Sequence, residues 1–91
     1  QELQLGEMKL KTLNIQFGAG TDRPVRTVTI ELVAPHIEAA NQSISNFIGS
    51  LQYAIREANQ KGARISVCRV LITDEYGKML LMYSYDVEIG R

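Results

Sequence analysis

Residues 8–17 (MKLKTLNIQF) alternate apolar and polar side chains, the two-residue period of a strand. Leu13, Ile15 and Phe17 fall on one face, Met8 and Leu10 on the other. The phase therefore changes near Lys11-Thr12 and predicts a bulge or the end of regular pairing there. Gly18 to Pro24 is dense in turn formers and closes this strand. Residues 25–33 (VRTVTIELV) are rich in β-branched side chains and read as a second strand. Val28, Ile30 and Leu32 share one face. Thr27, Thr29 and Glu31 share the other, beside Asn14 and Gln16, so this hairpin has one buried and one solvated face.

The period then lengthens. Apolar positions recur at Ile37, Ala40, Ile44, Phe47, Ile48, Leu51, Ala54, Ile55 and Ala58, the stripe of an amphipathic helix over residues 35–60. Pro35 suits its first turn, and Lys61-Gly62 supplies a cationic end and a left-handed stop. Asn41-Gln42-Ser43 is where a break would fall, because Asn and Ser cap new helix starts. Residues 63–73 and 78–89 return to the strand pattern around Asp74-Glu75-Tyr76-Gly77, a type I turn that closes a hairpin with a glycine bulge.

That turn sets an expected register. Thr73 faces Met79, Leu71 faces Leu81, Val67 faces Tyr85, Ile65 faces Val87 and Ala63 faces Ile89, an apolar face to be covered by the helix. Ile72 with Leu80, Val70 with Met82, Cys68 with Ser84, Ser66 with Asp86 and Arg64 with Glu88 make the other face, the last pair being an ion pair that supports the register. The sum is an α+β fold, a two-layer β-β-α-β-β sandwich with one long helix on a four-stranded sheet. The strand over 78–89 is the most apolar, which places it centrally and favours the order 2-1-4-3. An all-antiparallel 2-1-3-4 sheet is the alternative. The favoured order resembles the β-grasp arrangement, seen also in small immunoglobulin-binding bacterial domains. The likeness is one of topology alone and implies no function.

Composition narrows the picture. The 91 residues suit one domain, with residues 1–7 a loosely held lead-in to a domain over 8–91. The chain begins at Gln1, which suggests processing or excision from a longer protein. Ten basic and ten acidic residues cancel, which argues against a general phosphate-backbone binder. One cysteine excludes an internal disulfide, and one His with one Cys does not make a four-ligand zinc site, so no metal or cofactor is expected. No apolar run approaches the roughly 20 residues of a membrane span, and no signal peptide is visible. With a single thiol, this gives a cytoplasmic expectation and no membrane partner.

Chemistry-bearing residues are sparse, and the expectation is that the chain is not an enzyme. His36 reads as a solvated first-turn residue without catalytic company, and Cys68 as a buried structural thiol among apolar neighbours. Gly18-Ala19-Gly20 follows a strand but leads into another strand, so it lacks the helix N-terminus of a phosphate loop. Arg69 is the one polar intruder on the apolar face of the last hairpin, opposite Tyr83, and this pair is a candidate anion or partner anchor. The sharpest expectation is an interface made of Val70, Ile72, Leu80 and Met82 with Cys68 at its rim, left bare if the helix takes the other face. Cover by Leu3, Leu5, Met8 and Leu10 is the competing reading. The leading function is thus a non-enzymatic protein-protein interaction or assembly module, self-associating through that face or an exposed strand edge. The alternatives are a single-stranded nucleic-acid-binding module using the polar face of Thr12, Asn14, Gln16, Thr27 and Thr29 beside Arg26 and Lys9, and a small-ligand-binding domain centred on His36 or Arg69.

Overall fold

The two periodicities become β1 (Lys9–Phe17), β2 (Arg26–Val33), α1 (Ile37–Gln60), β3 (Ile65–Thr73) and β4 (Met79–Asp86) in a computed structural model that describes residues 3–17 and 26–87. The turn expected over 18–24, and the pairings of Glu88 and Ile89, lie outside the described residues. The architecture is α+β, one helix packed on a four-stranded mixed sheet.

The strand order is β1-β2-β3-β4, neither the β-grasp-like 2-1-4-3 order nor the all-antiparallel 2-1-3-4 sheet. β1 and β2 are antiparallel, β2 and β3 parallel, β3 and β4 antiparallel. The reason lies in the crossover. A 24-residue helix spans about 36 Å at 1.5 Å per residue, enough to carry the chain back along a strand. Its connections at 34–36 and 61–64 are short, so β3 starts beside β2 and runs parallel to it. Ala34 N–H then donates to the Thr73 carbonyl at 2.8 Å and extends that seam. The central pair also holds the most deeply buried side chains. Val28, Ile30 and Leu32 of β2 lie level with Cys68, Val70 and Ile72 of β3, and all six are buried in the core. Apolar content alone misplaced β4. Its apolar side chains divide between the two faces, and Met79 and Met82 are exposed, which suits an edge and not a centre.

The last hairpin keeps its turn and loses its register. Asp74 and Lys78 close it through Asp74 N–H to the Lys78 carbonyl at 2.9 Å, and Gly77 takes φ +88°. Asp74 Oδ1 also accepts from the amides of Tyr76 and Lys78, each at 2.9 Å. Thr73 faces Met79 as the turn predicts, but the register shifts between Ile72 and Thr73, with Leu80 as the extra residue. Beyond it Ile72 faces Leu81, Leu71 faces Met82, Val70 faces Tyr83, Arg69 faces Ser84, Cys68 faces Tyr85 and Val67 faces Asp86. A one-residue slip sends a whole strand's side chains to the opposite face. β4 still contributes Leu81, Tyr83 and Tyr85 to the helix side, whereas β3 contributes Cys68, Val70 and Ile72 in place of Val67, Arg69 and Leu71. The observed set buries no charge, while the expected one would have put the Arg69 guanidinium under the helix at a heavy desolvation cost.

α1 is continuous, with no break at 41–43. Ala39, Ala40, Phe47, Leu51 and Ile55 are buried, and the helix runs over β3 and β4. Its C-terminus is a Schellman motif: Gly62 N–H donates to the Asn59 carbonyl and Ala63 N–H to the Ala58 carbonyl, both at 3.0 Å, with Gly62 at φ +96°. The Asn59 amide then docks the chain into β3. Its Nδ2 donates to the Ile65 carbonyl at 3.0 Å, and its Oδ1 accepts from the Ile65 N–H at 2.7 Å. The segment before β1 is tied to the helix. Gln4 N–H donates to Ser50 Oγ at 3.0 Å, Gly6 passes against Ser43, Leu3 and Leu5 pack on the core, and Met8 is buried.

Candidate interaction surface

The irregularity between Leu10 and Thr12 is the one the phase change predicted, and it has a consequence. It returns Leu10 to the face of Leu13 and Ile15, opposite Leu32, Ile30 and Val28 respectively. These three β1 side chains therefore sit on the helix side of the sheet. The helix runs over β3 and β4, at the far side of β2, and does not cover them. Leu10 and Leu13 stay 48% exposed and Ile15 53%. The segment from Leu3 to Met8 packs on the core but leaves this row open. β1 is also a sheet edge, and among the described residues no backbone pairs with its outer side. An unpaired edge carries a line of free N–H and C=O groups, and here an apolar row runs along it.

The predicted interface residues are not one surface. Val70, Ile72 and Cys68 are fully buried in the core beneath the helix, and Leu80 packs against that core. Met82 projects to the helix-free side and is 62% exposed. The Leu80 bulge is the physical cause, since it turned β3 over relative to its partner. The same slip separates Arg69 from Tyr83. Arg69 is exposed on the helix-free face opposite Ser84, while Tyr83 lies on the helix side opposite Val70. The competing cover from the segment before β1 is met in part: Met8 is buried in the same core as Val70, Ile72 and Cys68, and Leu3 and Leu5 pack against it, while Leu10 stays 48% exposed.

Thr12, Asn14, Gln16, Thr27 and Thr29 do come together on the helix-free face, with Glu31 opposite Thr12. Arg26 donates through Nη1 to the Ala63 carbonyl at 2.8 Å, so its guanidinium is engaged with the turn after the helix. His36 caps the helix, its Nδ1 accepting from Ala39 N–H at 3.2 Å, with Glu38 Oε1 3.3 Å from the same nitrogen. A groove lined by Met8, Lys9, Val33, Pro35 and Glu75 contains neither His36 nor Arg69.

Sequence reasoning missed the tyrosine pair beside Cys68. Tyr83 and Tyr85 stack with ring centroids 6.2 Å apart and planes 12° from parallel. Both hydroxyl oxygens are buried without a hydrogen-bond partner. Burial raises both phenol pKa values well above the usual range, and Cys68 adds to the effect. Burial also raises the Cys68 thiol, against a weak opposing pull from the Tyr85 hydroxyl, which falls short of hydrogen-bond geometry. A thiol held protonated is a poor nucleophile. The signal available was the Tyr83-Ser84-Tyr85 spacing, which puts both rings on one face of a strand. Among the described residues no group of three His, Cys, Asp or Glu side chains is placed to hold a metal ion, and no helix is long and apolar enough to cross a membrane. Compared with known protein families, curated proteins and solved structures, the chain gives no match.

Proposed function

We propose that this chain is a non-enzymatic interaction and assembly module that engages a protein partner along β1. The observation that carries the reading is the half-exposed row of Leu10, Leu13 and Ile15 on an unpaired strand edge. Isolated exposed apolar residues are ordinary, but three in line beside open backbone groups form a surface for strand addition. In that mode the backbone supplies hydrogen bonds, and alternate side chains supply specificity. The row and the edge also belong to the same strand, so one extended partner segment engages both.

The test immobilises the protein at low density, so that copies do not meet, and pans a library of displayed peptides against it. Enrichment of extended peptides with alternating apolar residues, which bind wild type and not a folded Leu13→Lys, Ile15→Lys variant, supports the reading. Failure to enrich any peptide sensitive to that variant removes peptide capture by β1, and the reading then stands or falls on self-association through the same strand.

A further inference from the structure

We propose that the partner at this edge is a second copy of the chain, paired β1 to β1 in antiparallel fashion about a two-fold axis at Asn14. This rests on the interaction reading and names its partner. A two-fold interface needs a surface that complements itself. β1 has that property in its sequence. With the axis at Asn14, Leu13 of each copy lies opposite Ile15 of the other, and Thr12 lies opposite Gln16. Leu13 and Ile15 share the helix side, and Thr12, Asn14 and Gln16 share the helix-free side, so over residues 12–16 apolar meets apolar and polar meets polar.

Charge points the same way. Lys9 and Lys11 lie at the start of β1, and the antiparallel arrangement sends the two copies' lysine pairs to opposite ends of the seam. A parallel arrangement would set them side by side, where like charges repel. An axis at Leu13 would place Lys11 against Ile15 of the exposed row, whereas the Asn14 axis pairs Leu13 with Ile15 and places Lys11 against Phe17. The formal net charge is zero, so no general repulsion holds copies apart. β4, the other edge, lacks an equivalent row on the helix side, because Leu81, Tyr83 and Tyr85 are partly buried against the core. The product is a continuous eight-stranded sheet whose seam pairs Leu13 with Ile15 twice over.

The experiment is light scattering on the full chain up to its solubility limit, with three proteins. Wild type is expected to show a dimer mass. Leu13→Lys, Ile15→Lys, checked for its fold by circular dichroism, is expected to weaken the dimer by at least about tenfold in dissociation constant. Asn14→Cys, which places two thiols on the axis, is expected to form an intermolecular disulfide under mild oxidation, the native Cys68 being buried. A wild type monomeric at every concentration overturns the second-copy proposal, and peptide capture by β1 in the panning experiment would then leave the interaction reading standing. Absence of both overturns both. A dimer that survives the double lysine variant shows that β1 is not the seam. A dimer in which Asn14→Cys does not cross-link overturns the antiparallel register.

Discussion

Tyr83 and Tyr85 carry polar atoms that the core does not use. A buried hydroxyl without a partner has lost its water and gained nothing in exchange, a penalty of about 1–3 kcal/mol. The expected result is that Tyr83→Phe and Tyr85→Phe leave stability at neutral pH unchanged or raise it by about 1 kcal/mol, read from urea midpoints. Both phenols and the Cys68 thiol have raised pKa values, so the folded state binds these protons more tightly than the unfolded chain. Their contribution is complete below the unfolded pKa values, near 9 for the thiol and 10 for the phenols, and is lost as pH rises above them. Stability is therefore expected to fall in the alkaline range, and the double Phe variant to flatten that fall, leaving the thiol's share. Unchanged alkaline curves in the double variant would exclude the tyrosines as its source. Asn59 is the opposite case, a polar side chain fully used. Asn59→Ala strips a donor and an acceptor from Ile65 at once and is expected to cost about 2–3 kcal/mol in the same assay. The alternation of Tyr83 and Tyr85 puts both rings on one face, but neither their unpartnered hydroxyls nor the Asn59 clamp on Ile65 is legible in the alternation or the helix stripe. Each depends on what lies across a neighbouring element, which spacing along one strand does not encode.

Elements were the most legible scale, because their signals are local. The helix stripe, its stop at Lys61-Gly62, the Asp74 turn and the irregularity near Lys11 all follow from side-chain period or from one residue's backbone preference. Gly62 gives the sharpest test. Its φ of +96° is hard for any side chain, yet a methyl group there would meet nothing within 4 Å. Gly62→Ala is thus expected to cost about 1 kcal/mol from backbone strain alone, and a loss several times larger in thermal or urea unfolding would reveal a packing role that the geometry does not show. The Leu80 bulge was illegible for a related reason. The turn fixed Thr73 opposite Met79 correctly, and nothing in the local sequence says that one more residue follows before pairing resumes. That decision is made by the helix, which accepts Cys68, Val70 and Ile72 and would reject Arg69.

At the scale of the molecule, one slipped residue decides which side of the sheet is core, and that is where the sequence reading and the structure part. Strand order followed the same course. The crossover helix sets β2 beside β3, a long-range consequence that apolar content along β4 does not reveal. The candidate surface moved with it: the expected order set the first strand in the centre of the sheet, whereas β1 is an edge, and the side chains assigned to the bare face are largely those of the core. Val70 and Met82 make the contrast measurable, because a cross-strand pairing was expected of them and the structure puts them on opposite faces. Val70 is fully buried between β2, β4 and the helix side of the sheet. A glutamate there must bring a carboxylate into the core or break the packing, a cost of several kcal/mol, comparable to the whole stability of a domain this size. Met82 projects into solvent from an edge strand, and surface substitutions of that kind stay within about 0.5 kcal/mol. Val70→Glu is therefore expected to lose cooperative unfolding and dispersed amide signals, while Met82→Glu keeps both and has an unchanged urea midpoint. If both variants folded and differed from wild type only in association, Val70 and Met82 would share one exposed face, and the helix would lie on the other side of β3.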